Sequence, residues 1–182
     1  MLLTILLLGE FAVRIFLEVR EMRLTGIRFG VFSILRLLPL VNDLAPLPEK
    51  RGCIPEDSFV KMHEAGHERL RHAILRNLFK VILMMLAVWF LATLLVRFSM
   101  PIPEAVLYLH LVAIPVRLVF HFYCWNQEFE ADRFALDSLG RKVARNAMRT
   151  LRTNEYPYTP FFAIFYREHP PAILRERHLG VR

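Results

Sequence analysis

Cysteine is scarce in this chain. There are two, Cys53 and Cys124, in 182 residues. Both fall on the side that the charge pattern marks as cytoplasmic, where they read as reduced thiols rather than a disulfide. No internal repeat and no low-complexity tract is visible. The formal charge is +7, yet no basic cluster interleaves with aromatics and no groove-reading motif is present, so nucleic acid is not an expected partner. The most informative absence is local. From Val81 to Val96 (VILMMLAVWFLATLLV) there is no charged residue at all. A segment with no polar face does not suit the surface of a soluble helical bundle. With Leu78, Phe79 and Phe98 it approaches bilayer length, and Ala105 to Cys124 is similar, with Arg117 its one charge. At about 1.5 Å per residue, each would cross most of a hydrocarbon core of about 30 Å. Ser99 to Glu104, punctuated by Pro101 and Pro103, provides the turn between them.

Charge placement orients this hairpin. Lys61, Arg69, Arg71, Arg76 and Lys80 precede it, and Arg133, Arg141, Lys142, Arg145, Arg149 and Arg152 follow it. The turn region has Arg97 alone, so both flanks are expected in the cytoplasm. The basic excess then serves topology and contact with anionic lipid. Met1 to Val19 is also largely apolar, with Glu10 and Arg14 spaced for mutual neutralisation on a helix. It lacks the basic start and small-residue cleavage site of a signal peptide, and reads as a membrane helix. Ile27 to Val41 carries Arg28 and Arg36, which makes it too short and too charged for a span; an interfacial or re-entrant segment is expected. Asn42 to Gly52 is the clearest linker. The expected organisation is a membrane helix over 1–24, an interfacial segment and linker over 25–54, and a core over 55–182 containing a transmembrane hairpin at about 79–124.

The residues that carry chemistry begin at His63-Glu64-Ala65-Gly66-His67. Histidines four apart share one helical face and can grip one metal ion. The glutamate after the first histidine faces the open side of that metal, where it can take a proton from water. Pro55 is expected to open this helix, with Glu56 and Asp57 in its first turn. Such a site needs a third protein ligand. Glu128 and Asp132, again four apart, follow the hairpin, which returns the chain to the surface it left. One carboxylate can bind metal while the other accepts a hydrogen bond from a ligand histidine. Glu130 points to another face and reads as solvated. His72 lies five residues past His67, off the ligand face of a continuous helix, and reads as structural. Cys124, one turn before Glu128, is favoured as a structural thiol over a ligand.

These features resemble a family of integral-membrane zinc endopeptidases that includes the CAAX prenyl proteases and the HtpX heat-shock protease. The resemblance covers roughly residues 55 to 180. HEAGHERLRH (His63 to His72) is similar to the prenyl protease pattern. The order of metal helix, membrane hairpin and E-F-x-A-D helix is the family's, and His169-Pro170-Pro171 to Arg175 resembles its H-P-P-x-x-x-R block. The resemblance implies a mainly α-helical membrane protein with a gluzincin-like zinc site at the cytoplasmic face. His63, His67 and Glu128 would be the ligands of one zinc ion per chain, and Glu64 the general base. Asp132 would hydrogen-bond a ligand histidine, His169 would touch substrate or the oxyanion, and Arg175 would bind substrate. The expected substrates are peptides or proteins that are membrane-associated, prenylated or misfolded. Two departures stand out. The family's arginine before the third ligand is replaced by Trp125-Asn126-Gln127, and only residues 20 to 54 precede the metal helix to align substrate. A partner subunit supplying that alignment is therefore a further expectation. The alternatives are a sensor-type membrane peptidase that cleaves a regulator, and a non-catalytic scaffold with a structural metal.

Overall fold

Helix accounts for nearly all of the regular structure among the described residues of the computed structural model, which are 1–27, 30–41, 47–48 and 56–181; for 30–33 only the backbone is described. Most of the Asn42 to Gly52 linker lies outside them, as do Arg28, Cys53 and Pro55. The helices are α1 (Leu2–Thr25), α2 (Gly30–Leu37), α3 (Ser58–Arg69), α4 (His72–Ala92), α5 (Ile102–Leu139), α6 (Arg141–Asn154), α7 (Pro160–Tyr166) and α8 (Ala172–Leu179). A π-helical stretch, Thr93–Arg97, extends α4. Two compact units result, Met1–Pro46 with Asn77–Val119, and Leu47–Arg76 with Phe120–Arg182.

In the first unit, α1 ends at Gly26, whose left-handed backbone (φ 69°) lets its amide reach the carbonyl of Met22. Three of the charged residues of α1, Arg14, Glu18 and Glu21, are buried. Arg14 pairs with Glu10 at 2.6 Å, as the spacing predicts, and His110 of α5 meets the same Glu10 oxygen at 2.8 Å. Arg36 on α2 is 1% exposed and donates to Glu18 at 2.7 Å. Arg36, one of the two charges that argued against a membrane span here, is buried with its charge neutralised by a carboxylate.

Two helices, His72–Arg97 and Ile102–Leu139, are long and apolar enough to cross a membrane. None of the most apolar stretch of the first is buried within the protein: Met84, Met85 and Trp89 are all more than half exposed. The turn between them is shorter than expected, because Ile102 already begins α5 and Pro103 sits in its first turn, where a missing amide costs no hydrogen bond. Nor does α5 stop where the apolar run ends. It continues as one helix through Glu128 and Asp132 to Leu139, with Pro115 inside it. The second arm of the expected hairpin and the expected E-F-x-A-D helix are therefore parts of one element.

The second unit has its core in Phe59, Ala135, Ala144, Ala147, Met148, Leu179 and Val181. Helix α6 contributes Ala144, Ala147 and Met148 at i, i+3 and i+4, and its arginines lie mostly on the other faces. Asp57 sits one position outside the expected first turn of α3. It is the N-cap, and its side chain accepts from the amide of Val60 at 2.9 Å. Helix α3 then breaks at Leu70 and Arg71, the latter with φ 56°, before α4 starts at His72. A left-handed non-glycine residue costs about 1–3 kcal/mol and persists only when its surroundings hold it there.

Candidate metal centre

Gly66 decides how closely the elements of the site can approach. A Cβ at that position would lie 3.2 Å from the Cα of Ala131 and 3.2 Å from Cδ1 of Phe134. With no side chain at 66 and small residues at 131 and 135, both fully buried, α3 lies directly against α5. Glu128, one turn before Ala131, is thereby delivered to the histidines. The contact to Ala131 is with backbone, which cannot swing aside. Gly66→Val is expected to cost about 1–3 kcal/mol by overpacking. Taken from the site, that is on the order of 10- to 100-fold in zinc affinity, measurable by chelator competition. Wild-type affinity in this variant would show that the close approach is dispensable.

The Nε2 atoms of His63 and His67 are 3.1 Å apart, and the Glu128 carboxylate lies 3.4 Å from the first and 3.3 Å from the second. One ligand atom from each of these three residues can be chosen so that all lie within 4.8 Å of one another. Three acceptors this close need a cation among them, a metal ion or a proton. Two imidazoles and one carboxylate suit zinc with a fourth position left open. Among the described residues Cys124 is not in this group; it is buried.

Partners behind the ligands orient them. His63 Nδ1 is 2.9 Å from Asp132 Oδ1, and Arg175 donates to both Asp132 oxygens, at 2.8 and 2.6 Å. Arg175 also lies 3.4 Å from His63 Nδ1. The shorter contact to a carboxylate, which can only accept, means that Nδ1 carries a proton, and in the neutral ring Nε2 is then bare. Burial alone would lower the pKa of His63, but hydrogen bonds to Asp132 and Glu128 outweigh it and hold the value above that of an ordinary imidazole. Burial likewise works against the charge on Arg175, and Asp132 more than compensates, raising its pKa. Arg175, expected as a substrate contact, thus commits its guanidinium to Asp132, although it also lines the cleft.

Arg76 went unrecognised in the sequence as part of the site. It donates to Gln127 at 2.5 Å and to Glu128 Oε1 at 2.8 Å. An arginine from α4 therefore meets the ligand carboxylate, although the residues just before Glu128 include none. No sequence signal links positions 52 apart.

A cleft of about 330 Å³ opens on this cluster, lined among others by His63, Glu64, Glu128, His169 and Arg175. Glu64 is exposed in it. His169 Nε2 stands 3.8 Å from Glu128 Oε1. Its segment is tied down by Glu155, whose oxygens accept from Arg167 at 2.6 Å and from the amide of Ala172 at 2.7 Å. Trp125 fastens the same stretch by donating to the carbonyl of Arg167 at 3.0 Å.

A protein-family model, peptidase family M48, matches residues 55–181. No curated protein and no solved structure matches the chain. The matched span contains the whole cluster of histidines and carboxylates. The chain belongs to peptidase family M48, a zinc-dependent metallopeptidase family that contains HtpX and the CAAX prenyl protease.

Proposed function

We propose that this protein is a membrane-bound zinc metalloendopeptidase that hydrolyses peptide bonds of membrane-associated, prenylated or misfolded proteins. The observation that carries this reading is the convergence of His63, His67 and Glu128 on one point, with Glu64 exposed in the same cleft. Zinc held by those three residues would polarise the scissile carbonyl and make water more acidic. Glu64 accepts the proton of the attacking water and passes it to the leaving amine nitrogen. His169, fixed beside the cleft by Pro170, Pro171 and the Glu155 contacts, donates a hydrogen bond to the carbonyl oxygen as charge builds there. Asp132 and Arg175 keep His63 in the tautomer that leaves Nε2 free.

Membrane insertion is supported by the outward-facing apolar surface of α4 and by the length and composition of α5. The lysine and arginine asymmetry supports a cytoplasmic position for the catalytic cluster. A structural metal site would close its fourth position with a protein ligand; the three-membered group found among the described residues favours the catalytic alternative. Substrate alignment by a partner subunit remains part of the proposal.

The test joins composition to topology. Protein extracted from membranes should carry about one zinc per chain and cleave members of a panel of lipidated and misfolded membrane substrates. In a background without Cys53 and Cys124, an impermeant thiol reagent added outside sealed cells should label a cysteine placed at Ser99 but not one at Ser58 or Ser138. Equal labelling of all three would remove the membrane hairpin. A zinc-loaded protein inert towards the whole panel would count against the peptidase assignment.

A further inference from the structure

His72 and Glu130 read in the sequence as a structural histidine and a solvated carboxylate, and the structure joins both to a ligand. His72 Nδ1 is 2.8 Å from His67 Nδ1, and His72 Nε2 is 3.1 Å from Glu130 Oε2. The other Glu130 oxygen accepts from Asn126 at 2.8 Å, which holds the carboxylate in place. The break at Leu70 and Arg71 makes this possible. On an uninterrupted helix a residue five positions on would point well away from His67, whereas Arg71 in the left-handed region restarts the chain with His72 facing back.

Proton placement along this row is dictated from its far end. A carboxylate can only accept, so His72 Nε2 must donate to Glu130. A neutral His72 then has a bare Nδ1, which can only accept. His67 Nδ1 must therefore carry the proton shared across the 2.8 Å contact, and His67 Nε2 is left with its lone pair facing His63 and Glu128. The opposite order would set a bare His72 nitrogen against the Glu130 carboxylate and a proton on the very atom of His67 that should bind metal. We propose that Glu130 and His72 form a positioning relay that fixes the tautomer of His67, and so readies it as a metal ligand. Asp132 does the same for His63 in one step; here a second imidazole spans the greater distance. This inference rests on the metal-binding role proposed for His67.

Zinc affinity of the full-length protein in detergent, by chelator competition, provides the main test. It is read beside the melting temperature of the metal-free protein and the ring-nitrogen NMR spectra of protein labelled with ¹⁵N-histidine. Glu130→Ala and His72→Phe should each weaken zinc binding on the order of 10- to 100-fold, the range for partners behind metal ligands. The double variant should be no weaker than His72→Phe, because both changes cut one relay. In the unsubstituted metal-free protein His67 should be protonated at Nδ1 and His72 at Nε2, a result that needs no variant to fold. Unchanged zinc affinity in Glu130→Ala, or His67 without a proton at Nδ1, would overturn the relay. So would a loss of affinity matched by an equal loss of metal-free stability with tautomers unchanged. If the unsubstituted protein takes up no zinc, the metallopeptidase reading falls with it; if it binds zinc and Glu130→Ala binds equally well, the relay alone falls.

Discussion

Glu64→Gln should keep about one zinc per chain while peptidase turnover falls on the order of 10²- to 10⁴-fold, the contribution typical of a positioned general base. Glutamine preserves the shape of the side chain and its place in the cleft but has no basic oxygen. Among the described residues the group that could hold a metal is His63, His67 and Glu128, without Glu64, so replacing Glu64 leaves those donor atoms untouched. Metal analysis and single-turnover kinetics on one preparation separate the two effects. Since the proton is taken during bond formation, kcat should bear the loss and KM should change little. Turnover close to the unsubstituted level would require another base in the cleft and end the role assigned to Glu64.

Removing Glu128 should cost the metal itself. The carboxylate lies within 3.4 Å of both ligand nitrogens and is met from behind by Arg76 at 2.8 Å. Glu128→Ala therefore deletes a ligand and also leaves a guanidinium directed at the place where a cation should sit. Unpairing a fully buried charge costs about 3–5 kcal/mol. Arg76 is partly solvated, which points to the lower end of that range. The expected loss of zinc affinity is on the order of 10²- to 10³-fold, with activity lost in parallel. Asp132→Asn should cost less, roughly 10- to 100-fold, because it loosens His63 without removing a donor atom. Full zinc occupancy in Glu128→Ala would take that residue out of the ligand set.

How much of this site was legible in the sequence follows from helical geometry. His63 with His67, and Glu128 with Asp132, are i,i+4 pairs, and such pairs can be read wherever the helix is continuous. The spacing left open which carboxylate faces the metal. In the structure Glu128 approaches both histidine Nε2 atoms, while Asp132 lies behind His63 against Arg175. His72 escaped because its assignment assumed an unbroken helix from 63 to 72. The turn at Leu70 and Arg71 contains neither glycine nor proline to announce it; its amides bond locally, Leu70 to the carbonyl of Gly66 and Arg71 to that of Glu68. Arg76 escaped because its partners come from a distant stretch of chain. The long helices were legible from apolar composition, but their ends were not. Charged residues such as Glu128 and Arg133 continue an α-helix as readily as leucine does, so α5 runs past its apolar run with no local signal.

The contact between Glu10 and His110 sets an order of events on the ribosome. The two residues are 100 positions apart. At about 5–20 residues per second, synthesis of the intervening chain takes roughly 5–20 s. Throughout that interval Glu10 has Arg14 within reach and nothing from α5. The adjacent arginine is thus the first counter-ion this carboxylate meets, and it stays in place at 2.6 Å when His110 joins it in the finished protein. Its worth would show in the yield of the nascent protein more than in the stability of the finished one.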